Sequence, residues 1–353
     1  IRDREKEIVT CCRPMPVGLV SPTGKTGMVW WPGYSPCTAK VYTQIHYFSK
    51  LLRPMKKYFD YYRPKLGESW LILLAIFLVG GTILTASLVF IINQIRPGTL
   101  SMTEASGWST PVIYVIPFIF VFFYVYLRAR NNYHQALGQS TPPYPNPGAR
   151  LGRVPLPVFI LILPVLIVTL SVIMDPLTDW LEMPEFMKEI FERMTESNLP
   201  TFVAVVIAAP ILEEWLLRGL ALKGMLQHMA PWKAIAWSAL MFGVIHANPW
   251  QAIPAFLIGC LLGWIYYRTR SYWTCVALHA INNGLSFLLA IWFPQLAADA
   301  SLRSIIGDTP FFITLGASAV VLVISLSYLN KYLAPAPSLI INHEQHETVS
   351  PEL

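Results

Sequence analysis

Eight apolar stretches dominate this chain, at residues 69–94, 108–128, 155–174, 200–222, 232–248, 251–268, 272–293 and 311–332. About 20 consecutive apolar residues cross a bilayer core as a helix, and inside lipid the backbone must satisfy its own hydrogen bonds. The expected fold is therefore an all-α, polytopic transmembrane helical bundle of about eight spans, with 232–248 the shortest. Composition agrees. Of 353 residues 54% are hydrophobic and 13% charged, and that charged share is about half of what soluble domains carry. Trp70, Trp108, Trp232, Trp250 and Trp273 stand near the ends of apolar runs, where amphipathic rings suit the lipid headgroups.

The net charge of +6 does not gather on any polar domain, so nucleic acid is excluded as a partner and membrane lipid takes its place. Basic residues instead flank the spans: Arg53 to Lys65, Arg128 to Arg153, Lys223 with Lys233, Arg268 with Arg270, and Lys331. By the positive-inside rule these face the cytoplasm, and both termini lie there. The opposite side receives the acidic stretch from Asp175 to Glu196. Within it Phe186, Met187, Ile190, Phe191 and Met194 form one apolar face of a short surface helix. The chain is expected in a membrane of bacterial inner-membrane type.

Four regions follow. Residues 1–68 form a polar cytoplasmic tail, expected to be disordered at least to residue 54 or to be an extension upstream of Met55. Residues 69–154 hold two spans and a linker, 155–295 a core, and 296–353 the last span and a tail. The linker from Asn131 to Pro155, with Thr141-Pro-Pro-Tyr-Pro-Asn-Pro-Gly148 at its centre, reads as non-helical turns. Cys11, Cys12, Cys37, Cys260 and Cys275 are an odd set without CxxC spacing and read as ordinary thiols. Gly259 and Gly263 form a GxxxG suited to close packing within the bundle.

Charge inside the apolar runs needs a reason, because each ionised group near the bilayer centre costs roughly 2.5–3.5 kcal/mol. Glu213, Glu214 and Arg218 interrupt the fourth stretch; His246 ends the fifth; His279 and Asn283 lie in the seventh. Glu214 and Arg218 are four apart and share a helix face, so they neutralise each other and leave Glu213 without a partner. Phe242 and His246 share a face by the same spacing, as do His279 and Asn283. If the three helices turn these faces inward, a carboxylate, two histidines and an amide converge on one cavity. Such a carboxylate is suited to take a proton from water and return it to a leaving amine. The histidines would orient the water or ligate a metal, and the amide would donate to a developing oxyanion. No serine or cysteine stands in a comparable position beside the histidines, which favours activated water over an acyl-enzyme.

The elements Glu213-Glu-Trp-Leu-Leu-Arg218, Phe242-Gly-Val-Ile-His246 and His279-Ala-Ile-Asn-Asn283 resemble the EExxxR, FxxxH and HxxxN motifs of the CPBP family of intramembrane proteases, which includes the type II CAAX prenyl proteases. The resemblance spans residues 155–295. It implies that Glu213 is the water-activating base, that His246 and His279 bind the water or a metal, and that Asn283 stabilises the oxyanion while Glu214 and Arg218 support the geometry. It leaves open both a metal-independent glutamate mechanism and a zinc site on Glu214, His246 and His279, since three ligands with one open position describe catalytic zinc. No HExxH is present.

The expected partner is a peptide or membrane-protein substrate, cut in CAAX-type C-terminal processing or in maturation of a precursor. Two other classes use the same residues: a transporter or proton relay built on the buried Glu, Arg and His, and a non-catalytic membrane scaffold. Depth is the open geometric question. At ~1.5 Å per residue, Glu213 lies ~13 Å from the cytoplasmic end of its span, His279 ~10–12 Å and His246 ~20 Å. An interfacial helix over residues 219–233 is the expected way to bring them level.

Overall fold

The structure is a computed structural model that describes residues 57–98, 108–144, 148–178, 181, 183–194, 198–293 and 301–334. The expectation of disorder for 1–54 and the thiols Cys11, Cys12 and Cys37 lie outside the described residues; Cys260 and Cys275 are free thiols. The chain divides into one unit before Asp60 and a second from Asp60 onward, and the architecture that follows is that of the second.

Among the described residues, seven helices are long and apolar enough to cross a membrane. They are α1 (Leu66–Ile95), α2 (Ser109–Gln139), α3 (Leu156–Thr178), α5 (Leu199–Met225), α7 (Pro249–Thr269), α8 (Tyr272–Trp292) and α10 (Asp308–Tyr332). Three shorter helices join them: α4 (Glu185–Met194), α6 (Pro231–Ile245) and α9 (Leu302–Ile306). The protein is an all-α polytopic bundle. Its eighth apolar segment, α6, has 15 residues and reaches only ~22 Å. The acidic stretch carries α4, the short helix expected there, with Phe186 turned outward.

Local sequence accounts for where the helices begin. Asn198, Asn248 and Ser271 accept hydrogen bonds from the Thr201, Gln251 and Thr274 amides and so cap α5, α7 and α8. Pro200, Pro231 and Pro249 occupy first-turn positions, where their missing N–H is not needed. Much of the apolar surface faces outward, as lipid allows. α10 packs chiefly on α3 and exposes Phe312, Ile313, Val320, Val323 and Ile324. Trp108, Trp232 and Trp273 are exposed at helix ends, as rings at headgroup level should be.

The structure departs from three sequence expectations. First, α2 runs on to Gln139, so residues 131–139 are helix rather than linker. They contain no proline and pack against the chain before α1: Ala136 is buried, the Tyr133 ring meets Tyr61 edge-on, and Asn132 donates to the Tyr61 carbonyl. Second, the end of the supposed tail is part of the fold. Tyr62 and Arg63 are buried, Tyr62 donates to Glu68 at 2.9 Å, and Arg128 pairs with that same carboxylate at 3.2 Å. Third, residues 219–225 continue α5 instead of forming an interfacial helix, because Leu220, Leu222 and Met225 are buried in the bundle.

The longer α5 reduces the depth mismatch. Glu213 now lies twelve residues before Met225, ~18 Å, and His246 fifteen residues after Pro231, ~22 Å. The Tyr272 hydroxyl, from the first turn of α8, reaches the Ile211 carbonyl of α5 at 2.5 Å.

The basic segments meet at one end of the bundle. Tyr144 N–H bonds the Asp60 carbonyl, Arg150 N–H that of Thr269 and Arg153 N–H that of Tyr332, while Arg268 donates to the Asn330 and Leu333 carbonyls. At the other end Trp250 donates to the Leu181 carbonyl and Leu302 N–H to Asp175. Gly224 sits against the chain before α1, and a Cβ there would lie 2.3 Å from the Pro64 carbonyl oxygen. Replacing it with valine should cost about 1–3 kcal/mol by overpacking, read as a lower melting temperature in detergent. Gly67→Ala, with open space around it, should leave that temperature nearly unchanged, and equal effects would refute the packing of residues 60–65.

Candidate active site

The site lies in the middle of α5, where two consecutive carboxylates point to different neighbours. Glu214 and Arg218 are both wholly buried. Arg218 Nη1 donates to Glu214 Oε1 at 2.9 Å, and Nη2 donates to the Gly259 carbonyl on α7 at 3.0 Å. The guanidinium also lies over the Phe242 ring of α6, 4.9 Å from its centroid, a favourable cation–π placement. Glu214 Oε1 accepts a second contact, from His279 Nδ1 on α8 at 3.0 Å. A carboxylate facing Nδ1 holds the imidazole with its proton there, which turns Nε2 outward as an acceptor. Nε2 faces Glu213 Oε2 at 3.8 Å.

Glu213 is 8% exposed. Its Oε1 accepts a short hydrogen bond from the Tyr114 hydroxyl on α2, whereas its Oε2 is buried and has no hydrogen-bond partner in the protein. One carboxylate oxygen is thus anchored and the other is aimed at His279. The sequence reading left Glu213 without a partner. Tyr114 supplies one, and no motif spacing pointed to it, because a tyrosine in an apolar run is ordinary.

His246 joins through Phe242. The Phe242 ring stands edge-on to both histidines, with centroids 5.2 Å from each, and the Phe242 carbonyl is 2.8 Å from His246 Nδ1. His246 itself is the C-cap of α6. The turn beyond it passes through Ala247 at φ 55 to Asn248, whose amide donates back to the His246 carbonyl at 2.8 Å. Asn283 is one turn along α8 from His279. Its Nδ2 donates to the Val205 carbonyl of α5 at 2.9 Å, and its Oδ1 accepts from Asn282.

Close helix approach makes this possible. On the α6–α7 face, a Cβ on Gly243 would meet the Ala252 carbonyl oxygen at 2.9 Å, and one on Gly259 would meet Ala239 Cα at 2.9 Å. Gly263 is seated on Ile235 in the same interface, so the GxxxG packs within the bundle. Ser238 on α6 donates to the Leu217 carbonyl at 3.3 Å. Together with Tyr272 and Asn283 it ties three side chains of other helices to α5 carbonyls.

A family model described as "Type II CAAX prenyl endopeptidase Rce1-like" matches residues 195–285. The match makes these residues similar to the CPBP/CAAX proteases. No curated protein and no solved structure matches the chain. The matched segment runs from α5 into α8 and contains Glu213, Glu214, Arg218, His246, His279 and Asn283. Tyr114, on α2, lies outside it.

From the sequence, Glu214, His246 and His279 are one option for a zinc ligand set. Among the described residues, no group of three or more His, Cys, Asp or Glu side chains is placed to hold an ion. Glu214 Oε1 serves Arg218 and His279, and the Phe242 ring contacts both imidazoles.

Removing Arg218 would leave Glu214 buried without its cation, at a cost of about 3–5 kcal/mol. Arg218→Met should accordingly lower the melting temperature in detergent sharply. The double variant Glu214→Gln/Arg218→Met should recover part of the loss, because no buried charge is then stranded. A double variant no more stable than the single one would refute the pairing as the cause.

Proposed function

We propose that the chain hydrolyses a peptide bond within the membrane by direct attack of water, with Glu213 as the general base. The observation that carries this reading is the disposition of Glu213: Oε1 is tied to Tyr114, and Oε2 faces His279 Nε2 across 3.8 Å. That gap is too long for a direct hydrogen bond and suits one water oxygen held by both groups. Glu213 takes a proton from this water as the oxygen attacks the scissile carbonyl, then returns it to the departing amine, so that one carboxyl and one amine end result.

Each remaining residue has a part. His279 accepts from the water through Nε2 while Glu214 holds its Nδ1–H. Glu214 in turn keeps its place through Arg218. His246, its Nδ1 bonded to the Phe242 carbonyl, is a positioning residue that acts through the Phe242 ring, which also contacts His279. Asn283 spends one amide N–H on the Val205 carbonyl, and its second donates to the oxyanion, a contribution of roughly 3–4 kcal/mol in other hydrolases. Tyr114 is a positioning residue that aims Oε2.

The substrate is a membrane-embedded peptide or protein, cut either in CAAX-type processing of a prenylated C-terminus or in maturation of a precursor. The basic end of the bundle is assigned to the cytoplasm, with both termini on that side when α6 is counted with the seven longer helices as an eighth traverse.

The test uses purified full-length protein in lipid nanodiscs. A farnesylated peptide ending in a CAAX sequence, the same peptide without the lipid, and a membrane-anchored precursor are followed by mass spectrometry. Glu213→Gln should lower the cleavage rate by roughly 10²–10⁴-fold with an unchanged melting temperature, and wild-type rates in that variant would sink the mechanism. Cleavage of the farnesylated peptide alone would assign CAAX processing. Tyr114→Phe should reduce kcat by up to about 100-fold, since the base is then held less well, and should leave KM nearly unaltered. An unchanged kcat would remove Tyr114 from the mechanism.

A further inference from the structure

Arg270 occupies the turn between α7 and α8, at the basic end of the bundle. It is 9% exposed, and its Nε and Nη2 are buried without a hydrogen-bond partner. These two N–H groups form the edge of a guanidinium that takes a phosphate or carboxylate side-on with two parallel hydrogen bonds. The plane of the group lies near the Tyr267 ring, with Cζ 5.1 Å from the centroid, which fixes the direction of that edge. The backbone at Arg270 is left-handed, φ 55, a conformation costly to any residue with a Cβ. An arginine is thus held in strained backbone to place its head group inside.

The surroundings of Arg270 add positive charge through Arg150, whereas Arg63 has Asp60 within electrostatic reach. Among the described residues no carboxylate pairs with Arg270, and Arg150 is near enough to repel it. Arg63 is 7% exposed, donates through Nη1 to the Tyr62 carbonyl at 2.7 Å, and stands over the Tyr144 ring. Tyr266 lies within electrostatic reach of both Arg63 and Arg270. Burial pushes both guanidinium groups down from their ordinary range. A buried cation whose donors meet no anion is costly, and the Nε–Nη2 edge of Arg270 is in that position.

We propose that the Nε–Nη2 edge of Arg270, with Arg63 beside the same tyrosine, seats a phosphate group, supplied by an anionic lipid headgroup or by free phosphate. The turn follows the end of one membrane-crossing helix and precedes the next, which puts it at headgroup level. Basic pockets between helix ends at that level are where lipid headgroups bind. An occupant would brace the α7–α8 turn, nine residues before His279.

The experiment uses full-length protein in a maltoside detergent, which carries no phosphate. Dioleoylphosphatidylglycerol, dioleoylglycerol and inorganic phosphate are added separately. Binding is read by native mass spectrometry and by melting temperature for wild type, Arg270→Gln, Arg63→Gln and, as control, Arg153→Gln, whose contact to Tyr332 is through its backbone. The phospholipid should be retained and raise the melting temperature, and dioleoylglycerol should do neither. Arg270→Gln should weaken phospholipid binding roughly tenfold or more, as expected for charge-assisted hydrogen bonds, and Arg153→Gln should not. Displacement of the lipid by inorganic phosphate identifies free phosphate as a second source; its failure assigns the site to lipid alone. Equal retention of dioleoylglycerol and phospholipid by wild type, or wild-type affinity in Arg270→Gln, would overturn the proposal. If Arg270→Gln does not fold, the wild-type comparison and Arg63→Gln decide.

Discussion

Everything at the centre of this bundle depends on one carboxylate oxygen, Glu214 Oε1, which receives both Arg218 and His279. A buried ion pair gains from its mutual attraction but loses the water that both groups would otherwise have. The loss is contained here because Arg218 also bonds a carbonyl of α7 and lies over an aromatic ring of α6. One cation thereby connects four helices, counting His279 on α8. The arrangement leaves Glu213 with a partner of a different kind, a tyrosine hydroxyl, and with one oxygen not engaged by the protein.

Packing and chemistry are not separable in this region. Gly259 lets Ala239 and Phe242 come close, and its carbonyl is the one that Arg218 uses. Without that approach the Phe242 ring could not stand against the guanidinium and both histidines together. Small residues at helix contacts in membranes are commonly explained by van der Waals packing alone. In this bundle the same contact also sets the distance between acid and imidazole.

The sequence showed the class of fold and six residues of the candidate site, because each signal is local. Long apolar runs report helices, and spacing by four reports a shared face. Tyr114 was invisible for the opposite reason: it sits 99 positions from Glu213, and a hydroxyl in an apolar run has no local signature. The helical extension at 131–139 and the burial of Tyr62 and Arg63 were hidden similarly. Each is polar by composition and becomes ordered only because the other is there. The depth problem had the same origin, since the end of α5 depends on what covers Leu220, Leu222 and Met225.

By itself the sequence determined that the chain crosses the membrane as helices, that Glu214 and Arg218 neutralise each other, and that two histidines and an amide accompany them. Periodicity and the cost of charge in lipid suffice for that. Only the tertiary structure decided which oxygen faces which nitrogen: Glu213 Oε2 toward His279 Nε2, Glu214 Oε1 toward Nδ1, and Phe242 against both imidazoles. Such facts depend on the relative depth and rotation of α2, α5, α6 and α8, which close contacts between distant residues establish.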